Sequence, residues 1–130
     1  MNPVIHFEMP AIDRKRMSNF YSTAFGWQTQ QMGEEMGNYV LANTTESDAK
    51  GRAKTPGTIN GGFYQRTDDP ISHAPSVVIG VGDINESMKK IAAGGGKIIG
   101  EPMDIPGVGK WVSFFDTEGN RASIMQPSNG

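Results

Sequence analysis

Two side chains capable of proton chemistry stand two positions apart near the start of the chain, His6 and Glu8 in Val4-Ile5-His6-Phe7-Glu8-Met9. Alternation of this kind marks a half-buried strand, with Ile5, Phe7 and Met9 on one face and Val4, His6 and Glu8 on the other. An imidazole that titrates near neutrality, with a carboxylate beside it to raise its basicity, is a candidate general acid or base. The alternative is a histidine that hydrogen-bonds a neighbouring strand and lines its face passively. Trp27, Tyr39, Tyr64, Trp111 and Phe114 offer walls for a flat or apolar ligand, or core packing. Arg66 and Arg121 offer contacts to a carboxylate or phosphate, or solvated strand ends. No Ser-His-Asp arrangement has support from spacing. Gly94-Gly95-Gly96 follows a helical pattern instead of preceding one, so it reads as a helix stop and not as a phosphate cradle.

The composition limits what this chemistry can be. With 130 residues the chain is expected to form a single domain over 1–130 with a real core. A net charge of −2 leaves no basic footprint for nucleic acid and no polybasic membrane patch. No apolar run approaches a membrane span, and the N-terminus lacks the signal-peptide pattern. The absence of cysteine excludes disulfides, thiolate metal sites and a cysteine nucleophile, and it fits a cytoplasmic location. The 17 glycines and 8 prolines predict short elements joined by many turns.

The elements that must position these groups follow from local signals. Val4–Met9 is a strand that Pro10 should end. Asp13 caps a helix whose apolar stripe is Met17, Phe20, Tyr21, Ala24 and Phe25, and Gly26 stops it. Arg14, Lys15 and Arg16 near the positive end of that helix read as a solvated rim. Trp27–Met32, Asn38–Ala42 and Ile59–Arg66 read as three strands, with Gly61-Gly62 marking a bulge or a close backbone approach. Asn43–Gly57 is a long polar excursion of the kind used as a surface loop or ligand lid. Residues 67–74 form a linker. The second half repeats the order: a strand over Ser76–Val81, a helix capped by Asp83 and stopped at Gly94–Gly96, then strands over Lys97–Gly100, Trp111–Phe115 and Arg121–Gln126. Pro102, Pro106, Gly107 and Gly109 break the first of these connections, and Asp116-Thr117-Glu118-Gly119-Asn120 forms a tight turn.

The two halves share a register. Asp13 to Gly26 and Asp83 to Gly96 are both thirteen positions apart, and each half reads strand, helix, then three strands. A period near seventy is too long for a solenoid repeat and suits a duplicated two-module α+β domain. The run of Asp13, Phe20, Tyr21, Phe25, Gly26 and Trp27, the Thr58-to-Arg66 strand, the Val77-to-Lys97 module and the closing Phe114-to-Gln126 segment together resemble the vicinal oxygen chelate superfamily. That superfamily groups glyoxalase I, extradiol dioxygenases and bleomycin-resistance proteins. The resemblance implies paired βαβββ modules, about 3–66 and 75–126, whose curved mixed sheets form a cup with the helices outside. His6 and Glu8 would then face the cup, as would Ser76, Val78, Gly80, Arg121, Ser123 and Met125.

Metal-dependent relatives take His, Gln or Glu ligands from the first and last strands of each module. His6 stands at the first of these places, seven residues before the capping Asp13, but the resemblance puts Ser76 and Ser123 at the second module's places. The first module's fourth strand offers only Gln65, and a set of His6, Glu8 and His73 would draw on a linker. Catalytic metal sites normally need about three protein ligands, so no cofactor is expected, a divalent metal being the alternative. The leading expectation is a glyoxalase-like small-molecule-binding protein without a complete metal site, holding a mostly apolar or oxygenated ligand. Its contacts would be Trp27, Tyr39, Tyr64, Arg66, Ser76, Trp111, Arg121 and Ser123. The competing expectation is a lyase, isomerase or epimerase, lactoylglutathione lyase-like, with His6 and Glu8 as catalytic groups. A homodimer is expected from the resemblance, with no nucleic-acid or membrane partner. A purely structural dimerising module is the third reading.

Overall fold

In a computed structural model that describes residues 1–128, the chain is α+β and built from two modules with the same internal plan. Residues 129 and 130, with which the single-domain expectation ends, lie outside the described residues. One compact unit comprises His6–Pro75, and the other joins Met1–Ile5 to the residues from Ser76 onward. The first module carries β1 (Val4–Ala11), α1 (Arg14–Phe25), β2 (Gln28–Gln31), β3 (Val40–Asn43) and β4 (Asn60–Gln65). The second carries β5 (Ser76–Gly80), α2 (Ile84–Ala93), β6 (Lys97–Ile105), β7 (Gly109–Phe115) and β8 (Arg121–Pro127). In each, the strand before the helix runs parallel to the last strand, while the other pairings are antiparallel. The orders are β2-β3-β4-β1 and β6-β7-β8-β5.

Local chemistry sets the helix ends. Asp13 Oδ1 accepts from the Arg16 amide at 3.0 Å, and Asp83 Oδ1 from the Glu86 amide at 3.1 Å. Each bond satisfies one of the amides that a helix start leaves without a partner. Replacing either aspartate by alanine is expected to destabilise its module by about 1 kcal/mol in urea unfolding, whereas asparagine should retain most of the cap. Gly26 takes the left-handed conformation at φ 73° that ends α1. The Arg14 guanidinium is more than a solvated rim: Nη1 donates to the carbonyls of Gly37 at 3.3 Å and Asn38 at 3.0 Å, tying α1 to the turn before β3. In the second module the Ile84 amide donates to Gln126 Oε1 at 3.0 Å, so the last strand also caps α2.

Two of the expected strand boundaries move outward. Pro10 continues β1 instead of ending it. Its neighbour Ala11 uses its carbonyl to accept from Arg66. Successive residues of a strand point their polar groups to opposite sides, so the position of Pro10 needs no donor toward β4. β6 runs through Pro102 to Ile105 with an irregularity between Ile99 and Met103, since an outermost strand tolerates proline and a bulge. The linker contains a short 3-10 turn at Pro70–Ser72 capped by Asp69.

Each helix covers one face of its own module's strands. Ala11, Val40, Ala42 and Phe63 are buried under α1, with Phe7, Met9, Met17, Tyr21 and Trp27 packed against them. Val81, Ile84, Val112, Phe114 and Ile124 form the core under α2. The apolar stripe of α1 divides: Met17 and Tyr21 join the core, while Phe20 and Phe25 are 59% and 65% exposed. The Asn43–Gly57 excursion has internal order. Asp48 Oδ1 accepts from the amides of Lys50 and Arg52, and Ser47 pairs with Ala53. Asn60 on β4 anchors it, accepting from Thr44 at 2.9 Å and donating to Ser47 Oγ at 2.7 Å. The Asp116–Asn120 turn is held by Asp116 Oδ1, which accepts from the amides of Glu118 and Asn120 at 2.8 and 2.9 Å.

Candidate functional site

The face of the first module's strands that turns away from α1 carries the proton chemistry. Parallel pairing places His6 beside Asn60, Glu8 beside Gly62 and Pro10 beside Tyr64. Residues paired in register point to the same side, so His6, Glu8, Asn60 and Tyr64 share this face, while Phe7, Met9 and Phe63 point to the helix. Tyr39, which leads into β3, lies across the strands. Its hydroxyl is 3.0 Å from His6 Nε2 and also hydrogen-bonds the Glu8 carboxylate. His6, Tyr39 and Glu8 therefore form one connected chain of ionisable groups.

Gly62 makes the arrangement possible. A Cβ on that residue would occupy the place of the Tyr39 ring and hydroxyl. The strand keeps its regular register through Gly61 and Gly62, so the pair marks a close approach and not a bulge. Gly61 gives the same room to the Phe7 ring on the opposite face.

Burial controls the charge states. The His6 imidazole is pushed down from 6.5 to about 4 because the cation is poorly solvated there, so the ring is neutral at pH 7. The Tyr39 hydroxyl is pushed well above its ordinary value. Burial is the largest cause, followed by the negative charge of Glu8, the hydrogen bond to it, and Tyr64. Glu8 is only 9% exposed, and its Oε1 atom is buried without a hydrogen-bond partner.

The donor set does not fit a divalent metal. His6 Nε2 is engaged by the Tyr39 hydroxyl, and no group of three His, Asp or Glu side chains able to hold an ion occurs among the described residues. Gln65 Nε2 donates to the carbonyls of Ile12 and Arg66. His73 Nε2 donates to the Thr67 carbonyl at 2.7 Å, which commits it to the linker. In the second module Ser123 Oγ pairs with Ser113 Oγ at 2.9 Å in a buried contact. Ser76 Oγ is buried with no hydrogen-bond partner. Neutral hydroxyls are poor ligands for such an ion.

The remaining candidates are dispersed. Tyr64 donates to the Ala74 carbonyl at 2.9 Å while standing on the His6 face. Trp27 lies on the helix side, stacked on Tyr21 at 4.6 Å between ring centroids and 5.6 Å from Phe7, where it completes the core. Arg66 lines a shallow surface cleft of about 380 Å³ with Arg16, Met17 and Phe20. In the second module, Ser113 and Trp111 fall on one side of β7, paired with Ser123 and Met125, and Arg121 pairs with Phe115. Phe114 belongs to the core under α2. Sequence reasoning marked Gly61-Gly62 as a bulge or close approach without the ring it admits, and it missed the supporting roles of Asn60 and Ser113.

Comparison with known proteins places this geometry. A glyoxylase-like domain-containing protein from Didymella fabae is 30% identical over 121 residues, 90% of this chain and 88% of that protein. The fold matches a variant of Streptomyces coelicolor methylmalonyl-CoA epimerase in complex with 2-nitronate-propionyl-CoA, with a TM-score of 0.71 at 13% identity over 99% of this chain and 96% of that one. Methylmalonyl-CoA epimerase from Mycobacterium tuberculosis matches with a TM-score of 0.68 at 13% identity, covering 96% and 87% of the two chains. At such identities the likeness speaks for the fold alone. A family model matches residues 4–124, and the chain accordingly belongs to the glyoxalase/bleomycin resistance protein/dioxygenase superfamily.

Proposed function

We propose that the chain is a metal-independent, small-molecule-binding member of this superfamily. Its ligand would be mostly apolar or oxygenated and would sit against the face of the first module that carries His6, Glu8 and Tyr39. The observation that carries the reading is the contact between His6 Nε2 and the Tyr39 hydroxyl. It commits to a neighbouring side chain the imidazole that stands at the family's first ligand place. Ser76 and Ser123 supply only hydroxyls in the second module. Metal analysis joined to a thermal-shift screen tests this. Divalent zinc, nickel, manganese and magnesium should leave the melting temperature unchanged. A small aromatic or oxygenated ligand at 100 times its Kd should add about 2.7 kcal/mol. Stoichiometric metal that stabilises the protein would overturn the reading.

A second reading, an epimerase, isomerase or lyase acting by proton transfer, is favoured by the connected chain Glu8–Tyr39–His6 and agrees with the shared fold of the methylmalonyl-CoA epimerases. Methylmalonyl-CoA is then the first substrate to assay. Turnover should collapse in both His6→Ala and Glu8→Gln, and unchanged rates in the two variants would exclude the assignment. For either reading we propose a cytoplasmic homodimer; a sedimentation mass equal to one chain at micromolar concentration would exclude the dimer.

A further inference from the structure

Where β1 turns into α1, the chain leaves more apolar surface in solvent than its core uses. Ile12 is 67% exposed and Phe20 59%. Both border the cleft of about 380 Å³ that Arg66 shares with Arg16 and Met17. Small-molecule sites span about 300–1,000 Å³, so the size is adequate. The floor is fixed by backbone acceptors: the Arg66 amide donates to the Ala11 carbonyl and Gln65 Nε2 to the Ile12 carbonyl, both at 2.9 Å. Phe20 meets the Tyr21 ring edge to face at 5.0 Å between centroids, which braces the wall.

Arg16 and Arg66 bring two positive charges to this cleft, and Asp13 brings one negative charge. Asp13 is already committed, because its Oδ1 accepts from the Arg16 amide as the cap of α1. The helix start is thus capped from within the chain, and an anion here would meet side chains. Among the described residues neither guanidinium forms a hydrogen bond or an ion pair. The surplus of one positive charge stands out in a chain whose net charge is −2. A guanidinium fork matches a carboxylate in geometry, and the bond is charge-assisted.

We propose that this cleft is a second small-molecule site, lined by none of His6, Glu8 and Tyr39, and that it takes an amphiphilic carboxylate. The carboxylate sits on Arg16 and Arg66, and an alkyl or aryl body lies on Ile12, Met17 and Phe20. One negative charge balances the surplus, whereas a dianionic phosphate would exceed it. The proposal does not rest on the ligand-binding reading of the His6 face.

Octanoate is the probe, with octan-1-ol, acetate and octyl phosphate as controls. In methyl spectra of the whole chain at pH 7, octanoate should move the Met17 and Ile12 signals saturably. Octan-1-ol lacks the head and acetate lacks the tail, so both should bind more weakly. Arg16→Gln and Arg66→Gln should each weaken octanoate binding about tenfold. Phe20→Ala should weaken it about fivefold through lost apolar contact. Lys15→Gln, which removes a positive charge outside the cleft, should leave the affinity unchanged. Equal affinity for octan-1-ol, or unchanged octanoate affinity in folded Arg16→Gln and Arg66→Gln proteins, would overturn the anion contact. Tighter binding of octyl phosphate would overturn the carboxylate preference. Signals that move with protein concentration and not with octanoate would assign the cleft to a second copy of the chain and overturn the site. Octanoate shifts confined to His6 would overturn it as well, while supporting the reading of that other face.

Discussion

Phe63→Ala should lower stability by about 4 kcal/mol, the largest effect expected of any single truncation in the first module. The ring is fully buried under α1. It lies 5.6 Å from the Tyr21 ring and 6.5 Å from Trp27. Its removal leaves a cavity bounded by side chains that regular strands and a capped helix hold in place, so little collapse can offset the loss. Such a loss is a large fraction of the roughly 5–15 kcal/mol by which domains are stable. Phe20→Ala, at a position 59% exposed, should cost less than about 0.5 kcal/mol. Urea unfolding at matched slopes measures both. A Phe63→Ala cost below that of Phe20→Ala would mean that the core under α1 is not where these contacts put it.

Acid should destabilise the protein through His6. Burial depresses the folded-state value to about 4 from 6.5. Between these values the unfolded chain binds a proton that the folded protein refuses, so stability rises with pH across this window. The contribution is fully present above about pH 6.5, is progressively lost as pH falls toward 4, and is gone below it. The loss relative to neutral pH is on the order of 2 kcal/mol at pH 4.5. His6→Gln removes the titrating group, so its stability should fall less than that of the wild type between pH 7 and 4.5. Equal pH slopes for the two proteins in denaturant titrations would show that His6 is not buried as a neutral ring.

Signals that act within one helical turn or along one strand were legible in the chain. Asp13, Asp83 and Gly26 bond to amides or carbonyls no more than five residues away, so their types and positions announce the helices. The alternation of β1 likewise assigned His6 and Glu8 to the face away from the helix. Tyr39 was recognisable as an aromatic wall and no more. Its contact with His6 spans 33 positions and depends on the register of β3 against β4, which no local pattern encodes. The proline rule misled at Pro10 and Pro102 because it speaks of donors lost, and both positions lie where the sheet asks for none. The double glycine reads as a bulge or a close approach, and which rings it admits depends on side chains from elsewhere in the chain.

The inclusion of Met1–Ile5 with the unit that begins at Ser76 has a consequence for synthesis on the ribosome. The Pro3 carbonyl accepts from the Gly80 amide, 77 positions later in the chain. A nascent chain emerging from the exit tunnel therefore holds every strand and the helix of the His6–Pro75 unit before Pro3 can bond Gly80. At roughly 5–20 residues per second Pro3 waits on the order of several seconds for Gly80 to appear. Translation order thus favours the histidine-bearing unit folding first, with Met1–Ile5 recruited later by a sequence not yet made when it emerged.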